Sequence, residues 1–335
     1  MHTLLDPAIL FFVFGVLAGT LRSNLDIPEP IKKFLSLYLL MALGLKGGFA
    51  LAQSGMNPGV ASGLAAAVFM AFLVPAIGYL LLRRVASRFD AAAVAASYGS
   101  VSAVTFVTAT QYLENAGTAF GGHMTAAMVL MESPAIIMAV LLANAARQAL
   151  TAPAVVASGG GAAVMTGLGL PGTPIGRILH ESFTDGAQLL LIGAMAIGFL
   201  SGESGKAVMQ PFTGDLFKGM LAFFLLDMGL MVARNFELAR KASRWLLVYA
   251  TLAPVVHAAI ALALAAMLGM TAGDATLLMV LSASASYIVV PAVLRTAIPE
   301  ANPALYFGLS LGVTFPLNLM IGIPAYAAAA SRVLS

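Results

Sequence analysis

Cysteine is absent from the sequence, and charged residues are scarce. The lack of cysteine excludes disulfide bonds, thiol chemistry and metal sites built on thiolates. Asp, Glu, Lys and Arg make up 9% of the 335 residues, whereas an ordinary soluble domain carries about 25%. So little charge excludes a water-soluble enzyme and a nucleic-acid-binding protein. Hydrophobic residues make up 60% of the chain, and one helical span needs about 20 of them. The composition therefore predicts a polytopic protein of the lipid bilayer.

Long apolar stretches, separated by short charged or Gly- and Pro-containing breaks, predict an all-α protein with ten transmembrane helices. The stretches do not alternate in polarity as the strands of a membrane β-barrel would. The predicted spans are residues 7–21, 34–53, 60–82, 91–113, 124–145, 186–201, 217–232, 246–270, 275–294 and 305–328.

Lysine and arginine predict the orientation of these spans. All five odd-numbered connections carry them, whereas the second, fourth and eighth connections carry none. Because basic loops stay in the cytoplasm, both termini are expected on the non-cytoplasmic side.

The chain divides into two halves of five spans each, residues 1–149 and 183–335. Residues 150–182 between them are rich in Gly and Pro and predict a cytoplasmic linker. An odd number of spans per half makes the second repeat inverted, as in many secondary transporters. Similar residues recur at offsets of 182 to 185: Asp90 and Asp274, Ser100 and Ser284, residues 43–45 and 228–230, Pro134 and Pro316.

Small polar residues interrupt the fourth and ninth spans at corresponding positions. Gly99, Ser100 and Ser102 lie in the fourth, and Ser284 and Ser286 lie in the ninth. Matched breaks in two repeats indicate a transport site, because half-helix N-termini favour an anion and serine hydroxyls bind both oxyanions and sodium. The alternative is structural: serines in membrane helices also bond the preceding turn or permit close packing.

Two carboxylates fall within predicted spans, Glu132 in the fifth and Asp227 in the seventh. A carboxylate in the membrane is costly and is a functional candidate, either as a cation ligand or as a proton carrier. The alternative is a structural partner for a serine or a backbone group. No Arg or Lys lies near the two breaks, so an anionic substrate would need helix dipoles and a co-bound cation, whereas a neutral substrate would not.

Five segments carry a family likeness: residues 43–48, 98–103, 131–135, 253–257 and 291–303. On these the chain resembles the sodium-dependent bicarbonate transporters of the SbtA family, over most of both halves but with a shorter central linker. The resemblance implies a homotrimer in the bacterial inner (plasma) membrane that takes up bicarbonate with sodium by an elevator-like movement. It implies no cofactor other than the coupling sodium ion, and a cytoplasmic PII-like nucleotide-binding regulator for some members.

The resemblance also assigns residues to the two ions. The family's bicarbonate site carries over to Ser100, Ser102, Ser284 and Ser286, with Gly99 allowing close backbone approach. Where the family has an acidic residue after the ninth-helix serines this chain has Tyr287, and Glu132 replaces an Asp. The predicted substrate-binding residues are thus Gly99, Ser100, Ser102, Ser284, Ser286 and Tyr287. The predicted cation-binding residues are Ser102, Thr105, Glu132 and Asp227.

Other functions stay open at this point. The same fold could carry another small organic anion, coupled to sodium or to protons through Glu132, or could serve as a sensor that binds without transport. An enzyme is not expected, because the sequence has no nucleophile–base pair and no metal-binding motif.

Overall fold

The computed structural model describes residues 6–55, 58–151, 186–240, 242–287 and 289–334, and all regular elements in these ranges are helical. The predicted linker, residues 150–182, lies outside the described residues from 152 onward. The helices are α1 (Pro7–Thr20), α2 (Glu29–Ser54), α3 (Pro58–Leu82), α4 (Arg88–Gly99), α5 (Ala103–Asn115), α6 (His123–Thr151), α7 (Gly186–Gln210), α8 (Leu216–Arg240), α9 (Arg244–Met267), α10 (Ala272–Ala283), α11 (Val289–Ala297) and α12 (Pro303–Val333).

Within the described residues, seven helical stretches are long and apolar enough to cross a membrane, and α1 and α10 are shorter apolar helices. One face of α1 is apolar and open: Leu10, Phe14 and Leu17 are 46%, 50% and 54% exposed. Such a face is unfavourable in water and is satisfied by lipid. The protein is therefore a multi-pass membrane protein.

The structure confirms the two predicted breaks, because the fourth and ninth spans are each two helices, α4 with α5 and α10 with α11. The predicted spans differ from the observed helices in one place. The sixth and seventh lie in one stretch of 52 residues, Leu189–Arg240. That stretch contains Gly202 with a left-handed φ of 56° and a π-helical turn at Pro211–Asp215, both of which interrupt regular α-helix.

Two helices that precede the breaks begin with the same cap. The Ser87 hydroxyl accepts the Asp90 N–H at 3.0 Å before α4, and the Thr271 hydroxyl accepts the Asp274 N–H at 3.2 Å before α10. Such caps satisfy N–H groups that a helix start leaves unpaired. Both aspartates also accept a backbone N–H from the other half of the chain, Asp90 from Asn302 and Asp274 from Gly121.

Glycines allow two pairs of helices to cross closely, α1 with α8 and α2 with α7. A Cβ on Gly44 of α2 would lie 2.6 Å from the carbonyl oxygen of Leu191, and one on Gly229 of α8 would overlap the carbonyl of Phe12. Small residues let helix backbones approach in a membrane. These four helices form a glycine-crossed group. The other eight, α3–α6 and α9–α12, include the four helices that flank the breaks and form a broken-helix group, of which α12 also packs against α8.

Candidate functional site

The two helix breaks meet in the interior. Residues 100–102 separate α4 from α5, and Ser100 is extended at φ −93° and ψ −177°. Ser284 ends α10 in a similar conformation, at φ −83° and ψ 167°. The Ser102 N–H donates to the Ser284 hydroxyl at 3.0 Å, and the Ser286 N–H donates to the Ser97 carbonyl oxygen at 2.8 Å. Segments far apart in the sequence are thus joined directly.

Gly99 is required at the end of α4 because α3 lies against it. An added Cβ would lie 2.6 Å from Cγ of Pro75, which is inside α3. Any side chain here would push α3 and the break apart. Gly99 therefore allows α3 to pack closely against the first break.

A serine caps the helix that follows each break. The Ser102 hydroxyl accepts the Thr105 N–H at 3.2 Å and the Thr105 hydroxyl at 2.9 Å. The Ser286 hydroxyl accepts the Val290 N–H at 3.3 Å in the first turn of α11. Both half-helix N-termini, which carry positive partial charge, therefore lie beside the breaks.

A central cavity of about 90 Å³ lies between the two helix groups. A single water molecule needs roughly 10–15 Å³ of cavity volume, so this cavity has room for a small ion and a few water molecules. Leu39, Leu191 and Phe224 line it from the glycine-crossed group, and Ala103 and Val107 of α5 line it from the broken-helix group. Its polar lining residues are Ser36, Ser102, Glu132, Ser286 and Tyr287.

Glu132 is the one charged side chain among the described residues that line this cavity. It lies on α6, and the residue is 8% exposed. With no Lys or Arg in the described lining, the fixed positive potential comes from the helix N-termini alone. The cavity thus lies beside two helix N-termini, whose partial positive charge favours an anion, and contains a single carboxylate, which favours a cation.

Four predicted site residues, Ser102, Glu132, Ser286 and Tyr287, line the central cavity. Ser284 does not, because its hydroxyl donates to the Leu281 carbonyl at 2.9 Å while accepting from Ser102. This is the structural role that the sequence left open.

Ser100 and Thr105 also lie at the breaks but not in the cavity lining. Ser100 is 1% exposed, and its hydroxyl has no hydrogen-bond partner within the described part of the chain. Thr105 is 1% exposed and reaches the cavity only through its bond to the Ser102 hydroxyl.

Asp227 lies on α8, apart from the described cavity lining. Its carboxylate is 3.6 Å from Nζ of Lys32, which also contacts Glu29 at 2.9 Å and Asp26 at 3.9 Å. A hydrogen bond from Arg234 lowers the pKa of Asp26 in the α1–α2 connection. The structure therefore places Asp227 in a network of alternating charges and does not bring it to Ser102 or Glu132.

Tyr287 forms part of the cavity wall. Its hydroxyl lies 3.6 Å from the sulfur of Met228, and its ring packs edge-on against Phe315 with centroids 5.4 Å apart. An aromatic ring occupies the position where the resemblance leads one to expect a carboxylate.

Sequence reasoning missed Ser36 and the apolar wall of Leu39, Leu191 and Phe224. Ser36 lies in α2, a continuous helix, and a search for broken helices has no signal there. Only the crossing of α2 with α7 brings this side chain to the cavity.

Comparison with known protein families identifies the family of this chain. The profile of the Na+-dependent bicarbonate transporter superfamily matches residues 7–331. A search of curated proteins found no match to the chain. The match spans both halves and both helix breaks, so the chain belongs to the Na+-dependent bicarbonate transporter superfamily.

Proposed function

We propose that this protein is a symporter that takes bicarbonate into the cell together with sodium, and that both ions bind in the central cavity. The observation that carries the proposal is the charge of the described lining, which has one carboxylate, two adjacent helix N-termini and no Lys or Arg. An anion held there gains most when a cation binds beside it, because each ion lowers the cost of removing the other from water. Binding together is the physical basis of coupling.

The two ions are assigned to different parts of the cavity. Ser102, Ser286 and Tyr287 would offer hydrogen bonds to the bicarbonate oxygens, close to the N-terminus of α5. Glu132 would offer its carboxylate oxygens to sodium. Ser102 and Thr105, two of the other predicted cation ligands, would join it by giving up the hydrogen bond between their hydroxyls. Ser100, Ser284 and Gly99 would shape the crossing, and Asp227 would stabilise Lys32.

The architecture that fits this function is ten spans in two inverted five-helix repeats. Equivalent caps at Asp90 and Asp274, and equivalent crossings at Gly44 and Gly229, support it. The stretch Leu189–Arg240 also supports two spans, because 52 residues of α-helix extend about 78 Å. The hydrocarbon core is only about 30 Å thick.

Transport would proceed by an elevator-like movement of one helix group along the other. The central cavity supports this mechanism, because α2, α7 and α8 line one side of it and α5, α6 and the second break line the other. Sliding between the groups would expose the cavity to each side in turn. Coupling would require that the cavity moves only when both ions are bound or both are absent.

The remaining features rest on the family and on the charge of the loops. They are the bacterial inner membrane, termini on the non-cytoplasmic side, a homotrimer and a PII-like regulator. Each stays a prediction.

Labelled bicarbonate uptake into proteoliposomes tests the proposal. With an inward sodium gradient we expect bicarbonate uptake, and with potassium in place of sodium we expect uptake no higher than in liposomes without the protein. Uptake that follows a proton gradient and ignores sodium would favour a proton-coupled carrier. Sodium-dependent uptake of an organic anion, without uptake of bicarbonate, would identify that anion as the substrate. Bicarbonate binding without counterflow would indicate a sensor.

Replacing Ser286 with alanine is expected to lower sodium-dependent uptake at least about 10-fold, since it removes a cavity hydroxyl and the acceptor of the Val290 N–H. Ser310→Ala is the matched control, because Ser310 is fully buried, lies away from the described cavity lining and has an unbonded hydroxyl among the described residues. Uptake normalised to protein in the membrane distinguishes the two. Equal activity in both variants would refute the site.

A further inference from the structure

A second cavity carries the positive charge that the central cavity lacks. Its volume is about 390 Å³, and three lysines line it: Lys46, Lys206 and Lys218. Glu114 and Asp215 are the acidic residues of the described lining. We name it the lysine cavity. It is several times larger than the central cavity, so an ion can stay hydrated inside it.

The two cavities lie one above the other. Three helices line both, and on each helix the lining passes from one cavity to the other within three residues. Three residues of α-helix rise about 4.5 Å, so less than one helical turn separates the cavities. The residue pairs, central cavity first, are Leu40 and Leu43 on α2, Val107 and Thr110 on α5, and Met128 and Thr125 on α6.

The three lysines differ in how far they are neutralised. Nζ of Lys46 lies 2.9 Å from the Glu114 carboxylate and 4.3 Å from the centroid of the Phe217 ring. Lys206 has only a loose contact with Glu203, at 3.8 Å, and its side chain is 42% exposed. Lys218 is exposed and makes no ion pair within the described ranges. Glu114 neutralises Lys46, and Asp215 offsets one further positive charge, so the described lining keeps one net positive charge, which Lys206 and Lys218 supply.

We propose that the lysine cavity is an entry site for small oxyanions, in which an anion of the bicarbonate class is held before it reaches the central cavity. The inference rests on the proposed function and on the predicted orientation, which places the C-terminal ends of α2 and α7 on the non-cytoplasmic side. Ammonium groups in a concave site with low-dielectric walls concentrate anions and raise their rate of arrival. A hydrated, mobile Lys contact also releases its anion readily, as an entry site requires.

The double variant Lys206→Gln, Lys218→Gln tests this site in uptake assays. At low ionic strength we expect KM for bicarbonate to rise about 10-fold with kcat unchanged. The difference from the native chain should shrink as salt is raised, because salt screens the lysines. Lys33→Gln, at the opposite end of α2, removes an exposed charge elsewhere and should leave KM unchanged. An unaltered KM in the double variant would overturn the proposal, as would an equal change in Lys33→Gln.

A second experiment does not depend on transport. Because the chain has no cysteine, Gln210→Cys introduces a single thiol in the lining of the lysine cavity. We measure the ratio of the labelling rates of an anionic and a cationic methanethiosulfonate reagent. This ratio should be several-fold higher in Gln210→Cys than in the same variant that also carries Lys206→Gln and Lys218→Gln. Bicarbonate should slow labelling, and gluconate at equal ionic strength should not.

The two experiments separate the possible failures. If labelling prefers the anionic reagent and bicarbonate slows it, but the protein does not transport bicarbonate, the entry site is supported and the proposed function is rejected. If bicarbonate uptake depends on sodium, but labelling shows no preference for the anionic reagent and no protection by bicarbonate, the proposed function is supported and the entry site is rejected.

Discussion

Replacing Glu132 with glutamine is expected to abolish sodium-dependent uptake, with a loss of about 10- to 100-fold or more. Glu132 is the one charged side chain in the described lining of the central cavity. Glutamine keeps its shape but removes the charge that would balance the cation. The measurement is initial uptake at increasing sodium concentration, in which the half-saturating sodium concentration should rise steeply.

Two further variants serve as controls for Glu132→Gln. Glu132→Asp keeps the charge on a side chain one methylene shorter and should retain measurable sodium-dependent uptake. Asp227→Asn removes the other carboxylate predicted from the sequence. Because Asp227 lies 3.6 Å from Lys32 and apart from the described cavity lining, we expect lower thermal stability with a nearly normal sodium response.

The reverse pattern would contradict the assignment. A normal sodium response in Glu132→Gln, with loss of that response in Asp227→Asn, would move the cation site to α8. Loss of a proton-driven component in Glu132→Gln, without any effect of sodium on the native chain, would assign proton transfer to Glu132.

Replacing Gly48 with valine is expected to disrupt the crossing of α2 with α7 and to lower the thermal midpoint in detergent by roughly 2–5 °C. A Cβ on Gly48 would lie 2.7 Å from the Phe199 nitrogen and 2.9 Å from the Gly198 Cα. These are backbone atoms, so no side-chain rotation relieves the overlap and the helices must separate. Overpacking of this kind costs about 1–3 kcal/mol or more.

Gly193→Val is the matched control for this prediction. Gly193 lies in α7, on one of the same two helices, and an added Cβ there meets nothing within 4 Å. The same chemical change should therefore leave the thermal midpoint near that of the native chain. Equal midpoints for the Gly48 and Gly193 variants would show that the observed approach of α2 and α7 is not required.

Separation of α2 from α7 should also affect transport. Leu39 of α2 and Leu191 of α7 line the central cavity, so displacement at Gly48 changes the wall on which the ions bind. We expect any Gly48→Val protein that reaches the membrane to show reduced uptake.

Much of the architecture was predictable from local sequence. A membrane helix satisfies its own backbone hydrogen bonds, so a long apolar run predicts it without knowledge of its neighbours. The breaks were also predictable, because Gly99 and the serines around it weaken a helix locally. The caps at Asp90 and Asp274 follow from the same local chemistry.

The roles of individual serines were not predictable in this way. Ser102, Ser284 and Ser286 are equivalent in a local pattern, yet Ser284 is occupied by hydrogen bonds across the crossing while the other two line the cavity. Which hydroxyl is used depends on how the second break lies against the first. That contact joins residues more than a hundred positions apart, and no local rule contains it.

By itself, then, the sequence determined the class of protein, the approximate positions of its helices and the residues at which two of them break. The tertiary structure alone decided which side chains share a cavity: it brought Ser36 to Glu132, paired Asp227 with Lys32 and gathered Lys46, Lys206 and Lys218 into one site. The physical reason is that membrane helices are apolar on nearly every side. Their composition specifies burial in lipid or protein, whereas the face each turns inward depends on close packing between helices.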